Sequence, residues 1–282
     1  MKKFLCILLA FALTAGLAFA GGGSQSSAQT ASQAQPHTIA VGGSTSVTPL
    51  MELFQADYEK AHSNVKITIS GTGSGDGITG TDNGTYEIGM SSRELTPAEI
   101  GRGLIPHTVA IDGIAVLVNN GNPITGLSMA QIKDIYTGAI TRWEQLGAAA
   151  NGKTGGIAVI SREPGSGTRG AFQELIGFQD GQLVTNAIIF DGTGAIKSAV
   201  AGNADSIGYI SLGSVDTTAK ALNVDGIAAT NDNVKAGTYK IARPFILLTK
   251  SGVTLNPATQ AFLNWTMDGG QTIVQRSWIS IK

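Results

Sequence analysis

"HTIAVGGSTSVTPLMELFQADYEKA", residues 37–61, holds two periodicities in one stretch. His37–Gly43 carries the β-branched and small residues of a short strand and ends on a glycine pair. From Thr48 onward, Leu50, Met51, Phe54 and Tyr58 recur at helical steps. Pro49 falls in the first turn, where a helix needs no amide donor. A strand that runs through a glycine turn into a helix is the repeating unit of an α/β fold.

The unit recurs downstream. "VKITISG" (65–71) predicts a second strand, and "GSGDGITGTDNG" (73–84) a glycine turn with a short helix. "YEIGMSS" (86–92) predicts a third strand and "TPAEIG" (96–101) another helix start. "HTVAIDGIAVLVNN" (107–120) is one long β-rich run, and "GIAVISRE" (156–163) a strand leading into "SREPGSGTRGAF" (161–172). Further strands are expected at "LVTNAIIF", "SIGYISL" and "ARPFILLTK". Helices are expected at the start of "MAQIKDIYTGAITRWEQLG" and at "GAIKSAVAG" and "NPATQAFLNWTM". The alternation predicts an α/β protein with mainly parallel sheets. Two long strands, around 111–118 and 241–249, are expected to pass from one structural unit to the other.

The N-terminus reads as an address. Lys2 and Lys3 precede an apolar run to Leu13, and Ala18-Phe19-Ala20 forms an A-x-A cleavage site. Residues 1–20 are thus expected to be a cleaved secretory signal, and 21–37 a flexible Gly/Ser/Gln/Ala-rich leader. Cys6 is the single cysteine and lies inside the signal, so the exported chain would carry no disulfide, thiol or lipid anchor. No later segment is apolar for the ~18 residues that a membrane span needs. Without residues 1–20 the chain has 17 basic against 20 acidic residues, a net charge of about −3. That balance gives no pull toward nucleic acid.

Three glycine-rich strand-to-helix turns stand out: "GGSTSV" (42–47), "GTGSGDG" (71–77) and "EPGSGTRG" (163–170). A helix N-terminus presents unpaired amides and the positive end of the dipole, which suits an anion. Glycine admits close backbone approach, and Ser or Thr adds hydroxyl donors. Each turn alone is also explained by ordinary N-capping; three in one chain argue for a shared anion site. Arg93 and Arg162 follow strand ends and offer forked donors that match tetrahedral oxyanions.

The anion is not expected to be a nucleotide. Gly165 to Gly170 has the spacing of a phosphate-cradling loop but lacks its Lys-Ser/Thr ending. Chemistry on the anion is equally unsupported. No serine sits in G-x-S-x-G, and none of the three histidines, His37, His62 and His107, lies beside a serine turn. No spacing suggests a metal, and no cofactor is expected. Catalytic residues are therefore expected to be absent, and carriage is left as the function.

At these residues the chain resembles the exported phosphate-binding proteins of the high-affinity phosphate ABC transporter. The resemblance runs from about Thr38 to the C-terminus. It rests on "GGSTSVTPL", "ISGTGSGDGI", "IGMSSREL", "AIDGIAV", "GAITRWEQLG", "SREPGSGTRGAF" and "SIGYISLG", in that order. It implies the type II periplasmic binding protein fold, two α/β lobes joined by crossing strands that close on the ligand. Lobe one would hold 38–113 and 241–282, and lobe two 114–240.

The resemblance also implies a site. The first turn would give Thr45, Ser46 and the amide of Val47, and the second Ser74. The third motif would give Ser92 and Arg93, and the last Arg162, Ser166, Gly167 and Thr168. Some relatives carry, where this chain has Ser92, an aspartate that accepts the proton of hydrogen phosphate. The acceptor is thus sought elsewhere, with Asp76 first, Asp112 second and a backbone carbonyl third. The implied partners are inorganic phosphate and a membrane ABC permease, with the chain acting as a periplasmic, non-lipidated monomer. Three other readings remain open: a carrier of sulfate or molybdate, a secreted phosphatase or phosphotransferase, and an adhesion or signalling module.

Overall fold

The computed structural model describes residues 36–282. The expected signal, Cys6 and nearly all of the expected leader lie outside the described residues, and His37 is already the first residue of β1. The strands are β1 (His37–Gly43), β2 (Val65–Gly71), β3 (Ile88–Ser91), β4 (Leu104–Asn119), β5 (Gly126–Leu127), β6 (Ala158–Arg162), β7 (Ile188–Phe190), β8 (Ser206–Ser211), β9 (Ala219–Ala221), β10 (Asn223–Val224) and β11 (Ala242–Lys250). The helices are α1 (Thr48–Ala61), α2 (Ser74–Asp82), α3 (Pro97–Gly101), α4 (Met129–Thr137), α5 (Gly167–Ile176), α6 (Gly192–Gly202), α7 (Asn231–Lys235), α8 (Pro257–Met267) and α9 (Gln271–Val274). Among the described residues no helix is long and apolar enough to cross a membrane.

One sheet runs β2-β1-β3-β11-β4-β8-β6-β7, with β9 also on β4. β1 pairs in parallel with β2 and β3, and β6 pairs in parallel with β7 and β8. β11 and β4 add antiparallel neighbours on the inner edge of each half. β4 is shared. Up to Gly113 it pairs with β11, and from Ile114 onward with β8 and β9.

The apolar residues part at the same place. One core gathers Val41, Leu50, Phe54, Ile88, Ala110, Phe245 and Phe262 under α1 and α8. A second gathers Ile114, Val116, Tyr136, Trp143, Phe172, Tyr209 and Ile241, with the Phe172 and Tyr209 rings stacked at 4.0 Å. On the opposite faces, Ile78, Leu95 and Ile246 pack beneath α2, and Ile160, Ile196 and Ile210 beneath α6. Each half-sheet is thus covered on both sides, with each fully buried aliphatic side chain stabilising by about 1.5–3 kcal/mol.

Two details depart from the sequence reading. β11 begins opposite Gly113 and stays on the first half, so the return passage is made by the residues before it. There the Tyr239 hydroxyl donates to Ile114 O at 2.8 Å, and the Ile114 amide donates to Ile241 O at 2.8 Å. The strand expected at "LVTNAIIF" shrinks to Ile188–Phe190. The Val184 amide is taken by Tyr136 O and the Ala187 amide by Val184 O, which turns the chain.

Four helices, α1, α2, α5 and α6, follow directly from the C-terminal ends of β1, β2, β6 and β7. α2 lies unusually close to the sheet. A Cβ on Gly77 would meet Met90 O at 2.6 Å, and one on Gly43 would meet the same oxygen at 2.3 Å. Only glycines allow that approach, and it sets the start of α2 beside the ends of β1 and β3.

Candidate functional site

Each of the four helix starts spends its capping groups differently. Before α1, Ser44 absorbs the backbone. Its Oγ accepts from the Ser46 amide at 3.2 Å, and its carbonyl accepts from the Val47 and Thr48 amides, both at 3.1 Å. The Ser46 hydroxyl is thereby left to face outward from the helix. α2 starts at Gly73 (φ +115°) with no side-chain cap, so the Ser74 hydroxyl is also free to turn away from the helix. At α5 the Ser166 hydroxyl caps the Arg169 amide at 3.2 Å, and Gly167 and Thr168 form the first turn. The amides of a first turn have no intrahelical acceptor. At α6 the second residue is Thr193.

These groups meet. Ser46 Oγ lies 2.8 Å from Thr168 Oγ1 and 3.1 Å from Thr193 Oγ1. Ser74 Oγ lies 3.3 Å from Ser92 Oγ and accepts from the Ser92 amide at 3.1 Å. Ser92 Oγ in turn lies 3.5 Å from Thr168 Oγ1. Ser46, Ser74 and Ser92 come from the first half of the sheet, and Thr168 and Thr193 from the second. All five are buried, so the cleft is closed on itself. The Gly75 amide also donates across it to Gly165 O at 3.0 Å. Gly167 is needed here, because a Cβ would stand 2.3 Å from Ser74 Oγ and 2.9 Å from Ser92 Oγ.

Two guanidiniums flank the hydroxyls. Arg162, 1 % exposed, donates through Nη2 to Thr45 Oγ1 at 3.0 Å and lies 3.5 Å from Thr193 Oγ1 through Nη1. Its other face is held by Glu163, with Nε to Oε2 at 2.7 Å and Nη2 to Oε1 at 2.6 Å. Glu163 Oε2 also accepts from the Gly192 amide at 3.2 Å, which ties the pair to the start of α6. A depression of about 430 Å³ bounded by Thr45, Thr72, Glu163, Pro164 and Asp191 opens beside Arg162.

Arg243, 4 % exposed, lies on the other side. Nη1 donates to Ser92 O at 2.7 Å and to Thr168 Oγ1 at 2.9 Å, and Nη2 to Asp112 Oδ2 at 3.1 Å. Burial is the largest influence on both partners. It pushes the Asp112 carboxyl up, against the charge of Arg243, and brings the guanidinium down to about 10, so that it stays charged at neutral pH. Two cations are thus matched by two carboxylates. What the cleft offers an anion is a set of oriented donors in a dry place.

Of the sequence-predicted residues, Thr45, Ser46, Ser74, Ser92, Arg162, Ser166, Gly167 and Thr168 come together at this cleft. Val47 is adjacent, with its side chain in the first core and its amide already on Ser44 O. Arg93 lies apart. Its guanidinium is bidentate to Glu99, at 2.8 Å to each oxygen, and also donates to Glu94 O. Asp76 is exposed and accepts from the hydroxyls of Thr72 and Tyr86. Asp112 is buried with both oxygens engaged. Beyond Arg243, Oδ1 accepts from Ser211 Oγ at 2.9 Å and the Gly213 amide at 3.2 Å. Among the described residues no group of His, Cys, Asp and Glu is placed to hold a metal ion.

Sequence reasoning missed Thr193 and Arg243. Thr193 had a signal: "FDGTGA", 190–195, is a fourth strand–glycine–hydroxyl turn of the same kind as the other three. Arg243 had only a faint one, a cation inside the apolar strand "ARPFILLTK".

A family profile for the PBP superfamily domain matches residues 25–269. A protein from Clostridium perfringens assigned as a phosphate ABC transporter substrate-binding protein, solved with bound phosphate, superposes with a TM-score of 0.84. It is 42 % identical, over 87 % of this chain and 100 % of its own. An ABC-type phosphate transport receptor from Vibrio cholerae superposes with a TM-score of 0.71 at 33 % identity, over 86 % of this chain and 100 % of its own. The phosphate-binding protein PstS of Borreliella burgdorferi is 28 % identical over 255 residues, 86 % of this chain and 90 % of its own.

Proposed function

The chain belongs to the PBP superfamily, and from that premise we propose that it is the substrate-binding protein of a phosphate ABC transporter. It captures inorganic phosphate between its lobes and hands it to a membrane permease; it is a transport component and not an enzyme. One observation carries the reading: hydroxyls from both lobes, Ser46, Ser74, Thr168 and Thr193 at four helix starts and Ser92 just after β3, converge with Arg162 inside a closed cleft. We assign 38–113 with 241–282 to one lobe and 114–240 to the other. The parting of the cores between Ala110 and Ile114, and between Ile241 and Phe245, supports that division. We assign Thr45, Ser46, Ser74, Ser92, Arg162, Gly167, Thr168 and Thr193 to the ligand.

Hydrogen bonds to a charged group contribute about 1.5–3 kcal/mol each, so several oriented donors can offset the desolvation of the ion. The experiment is calorimetric titration of the ligand-stripped protein with phosphate, sulfate and molybdate. Saturable binding of phosphate is expected, and a protein that ignores all three ions refutes the assignment. A second reading, sulfate or molybdate, is favoured by one observation: the side-chain oxygens that face one another in the cleft are hydroxyls, which suit an unprotonated oxyanion equally well. The same titration ranks the ions.

We further propose that the chain is exported, loses residues 1–20, carries no lipid and works in the periplasm as a monomer that does not bind nucleic acid. The A-x-A site, the position of Cys6 and the near-neutral charge support this. The intact mass of the exported protein checks it, and a lipid-modified N-terminus would overturn the localisation.

A further inference from the structure

We propose that Arg243 is the second guanidinium of the ligand site and the side chain that locks the cleft shut. This rests on the oxyanion-binding reading above. Arg243 itself belongs to the first lobe, and its contacts reach along that lobe, across the cleft and to the passage between the lobes. Ser92 O, 2.7 Å from Nη1, follows β3 in the first lobe. Thr168 Oγ1, 2.9 Å from the same nitrogen, belongs to the first turn of α5 in the second lobe. Asp112, 3.1 Å from Nη2, is the residue of β4 directly opposite Arg243 and stands one residue before the strand changes sides at Gly113. The other oxygen of Asp112 holds Ser211 and the Gly213 amide, both of the second lobe. One planar group of the first lobe, held by Asp112 beside the passage, thus reaches across the cleft to Thr168 of the second lobe.

A lysine cannot make this set of contacts, because its ammonium is a single point with no fork. Thr168 Oγ1 is the atom that links the lock to the ligand. It accepts from Arg243 and lies 2.8 Å from Ser46 Oγ on its other side. An accepted charge-assisted bond polarises the threonine hydroxyl and points its own proton into the cleft, making it a stronger donor. Arg162 contacts Thr45 and Thr193 beside the surface depression, whereas Arg243 contacts Thr168 and Ser92 at the hinge end. The two therefore address the anion from opposite ends, and their roles divide: Arg162 at the mouth meets the ion, and Arg243 keeps it. The charge of Arg162 also lowers the proton affinity of Arg243, so the two guanidiniums feel each other, and an anion between them relieves that repulsion.

The test uses the full exported chain, ligand-stripped, as wild type, Arg243→Lys and the double variant Arg243→Gln/Asp112→Asn. The double variant removes both charges of the pair, so no unpaired buried charge is left. Phosphate affinity is measured by calorimetry and dissociation by chasing bound radiolabelled phosphate with unlabelled ion. Arg243→Lys is expected to weaken affinity by about tenfold or more, with the loss in the dissociation rate and association within about threefold of wild type. The double variant is expected to stay weak, and its phosphate-induced compaction in solution scattering to shrink. If Arg243 only neutralises Asp112, the double variant returns to wild-type affinity and compaction, and the proposal falls. Wild-type affinity in Arg243→Lys overturns it as well. A wild type that binds sulfate or molybdate in place of phosphate moves the same chase to that ion. A wild type that binds none of the three ends the functional reading itself, a different failure from that of Arg243.

Discussion

The end of β6 and the turn after β3 each carry an arginine beside a carboxylate, and only the first aims its arginine at the hydroxyls of the cleft. Arg162 ends β6 and is gripped by Glu163; Arg93 stands two residues past β3 and is gripped by Glu99. The difference lies in what anchors the carboxylate. Glu163 is held by the Gly192 amide at the start of α6, which faces the cleft. Glu99 belongs to the capping box of α3, where it accepts from the Thr96 amide, and it draws Arg93 out along that helix. An arginine at a strand end goes where its partner is tied down.

The sharpest way to break this comparison is to truncate both arginines. Arg162→Ala should weaken phosphate binding by at least ~2 kcal/mol, about 30-fold, in a calorimetric titration. Arg93→Ala should stay within about twofold of wild type. Equal losses would mean that Arg93 swings into the cleft when phosphate is bound.

Gly167→Ala probes the cleft side of the same turn. Its Cβ would stand 2.3 Å from Ser74 Oγ, so closure should cost about 1–3 kcal/mol and affinity should drop about tenfold. Melting of the stripped protein should barely change. Unchanged affinity would show that the lobes meet less closely than described.

On the Arg93 side the expected effect is on stability. The hydrogen bonds from Arg93 chiefly hold the Glu99 carboxyl down at about 2, against an ordinary 4.5. A depressed folded-state value stabilises the protein above the unfolded value, and this contribution is lost as the pH falls toward the folded one. Glu99→Gln should therefore lower Tm at pH 6 by an amount equivalent to about 1 kcal/mol. The gap to wild type should narrow below pH 4.5 and close near pH 2. A gap that is constant with pH would remove the ion pair as its cause.

The smallest effect is expected at Asp76, the first choice for proton acceptor from sequence. Its carboxylate faces Tyr86 and Thr72, away from the hydroxyl cluster. Asp76→Asn should leave the ratio of phosphate to sulfate affinities unchanged in competition titrations. A collapse of that ratio would bring Asp76 back into the site.

Much of the architecture was written locally. The step from alternating β-branched residues to helical spacing at Gly42–Pro49, repeated along the chain, implies strands feeding helices, and the run 107–120 is long enough to serve both halves. Glycine–hydroxyl turns likewise marked Ser46, Ser74 and Thr168. The pairing of Asp112 with Arg243 was not legible, because it joins residues 131 positions apart whose register depends on two strands meeting at one place. The direction of Arg93 was partly legible, since "TPAE" spells a capping box whose glutamate lies within reach. The direction of Asp76 was hidden for a related reason. The residue sits in the right turn, but on the face of α2 that turns outward.

The matched charges of the cleft reach beyond the cleft. Each guanidinium already has a carboxylate, and without residues 1–20 the chain carries a net charge of about −3, so no long-range field draws anions in. Capture then depends on short-range donors that act only after the ion has entered, inside a Debye length of about 8 Å at physiological salt. Dissolved salts screen distant charges and leave enclosed hydrogen bonds nearly untouched. The receptor should consequently read phosphate concentration alike in dilute and in briny surroundings.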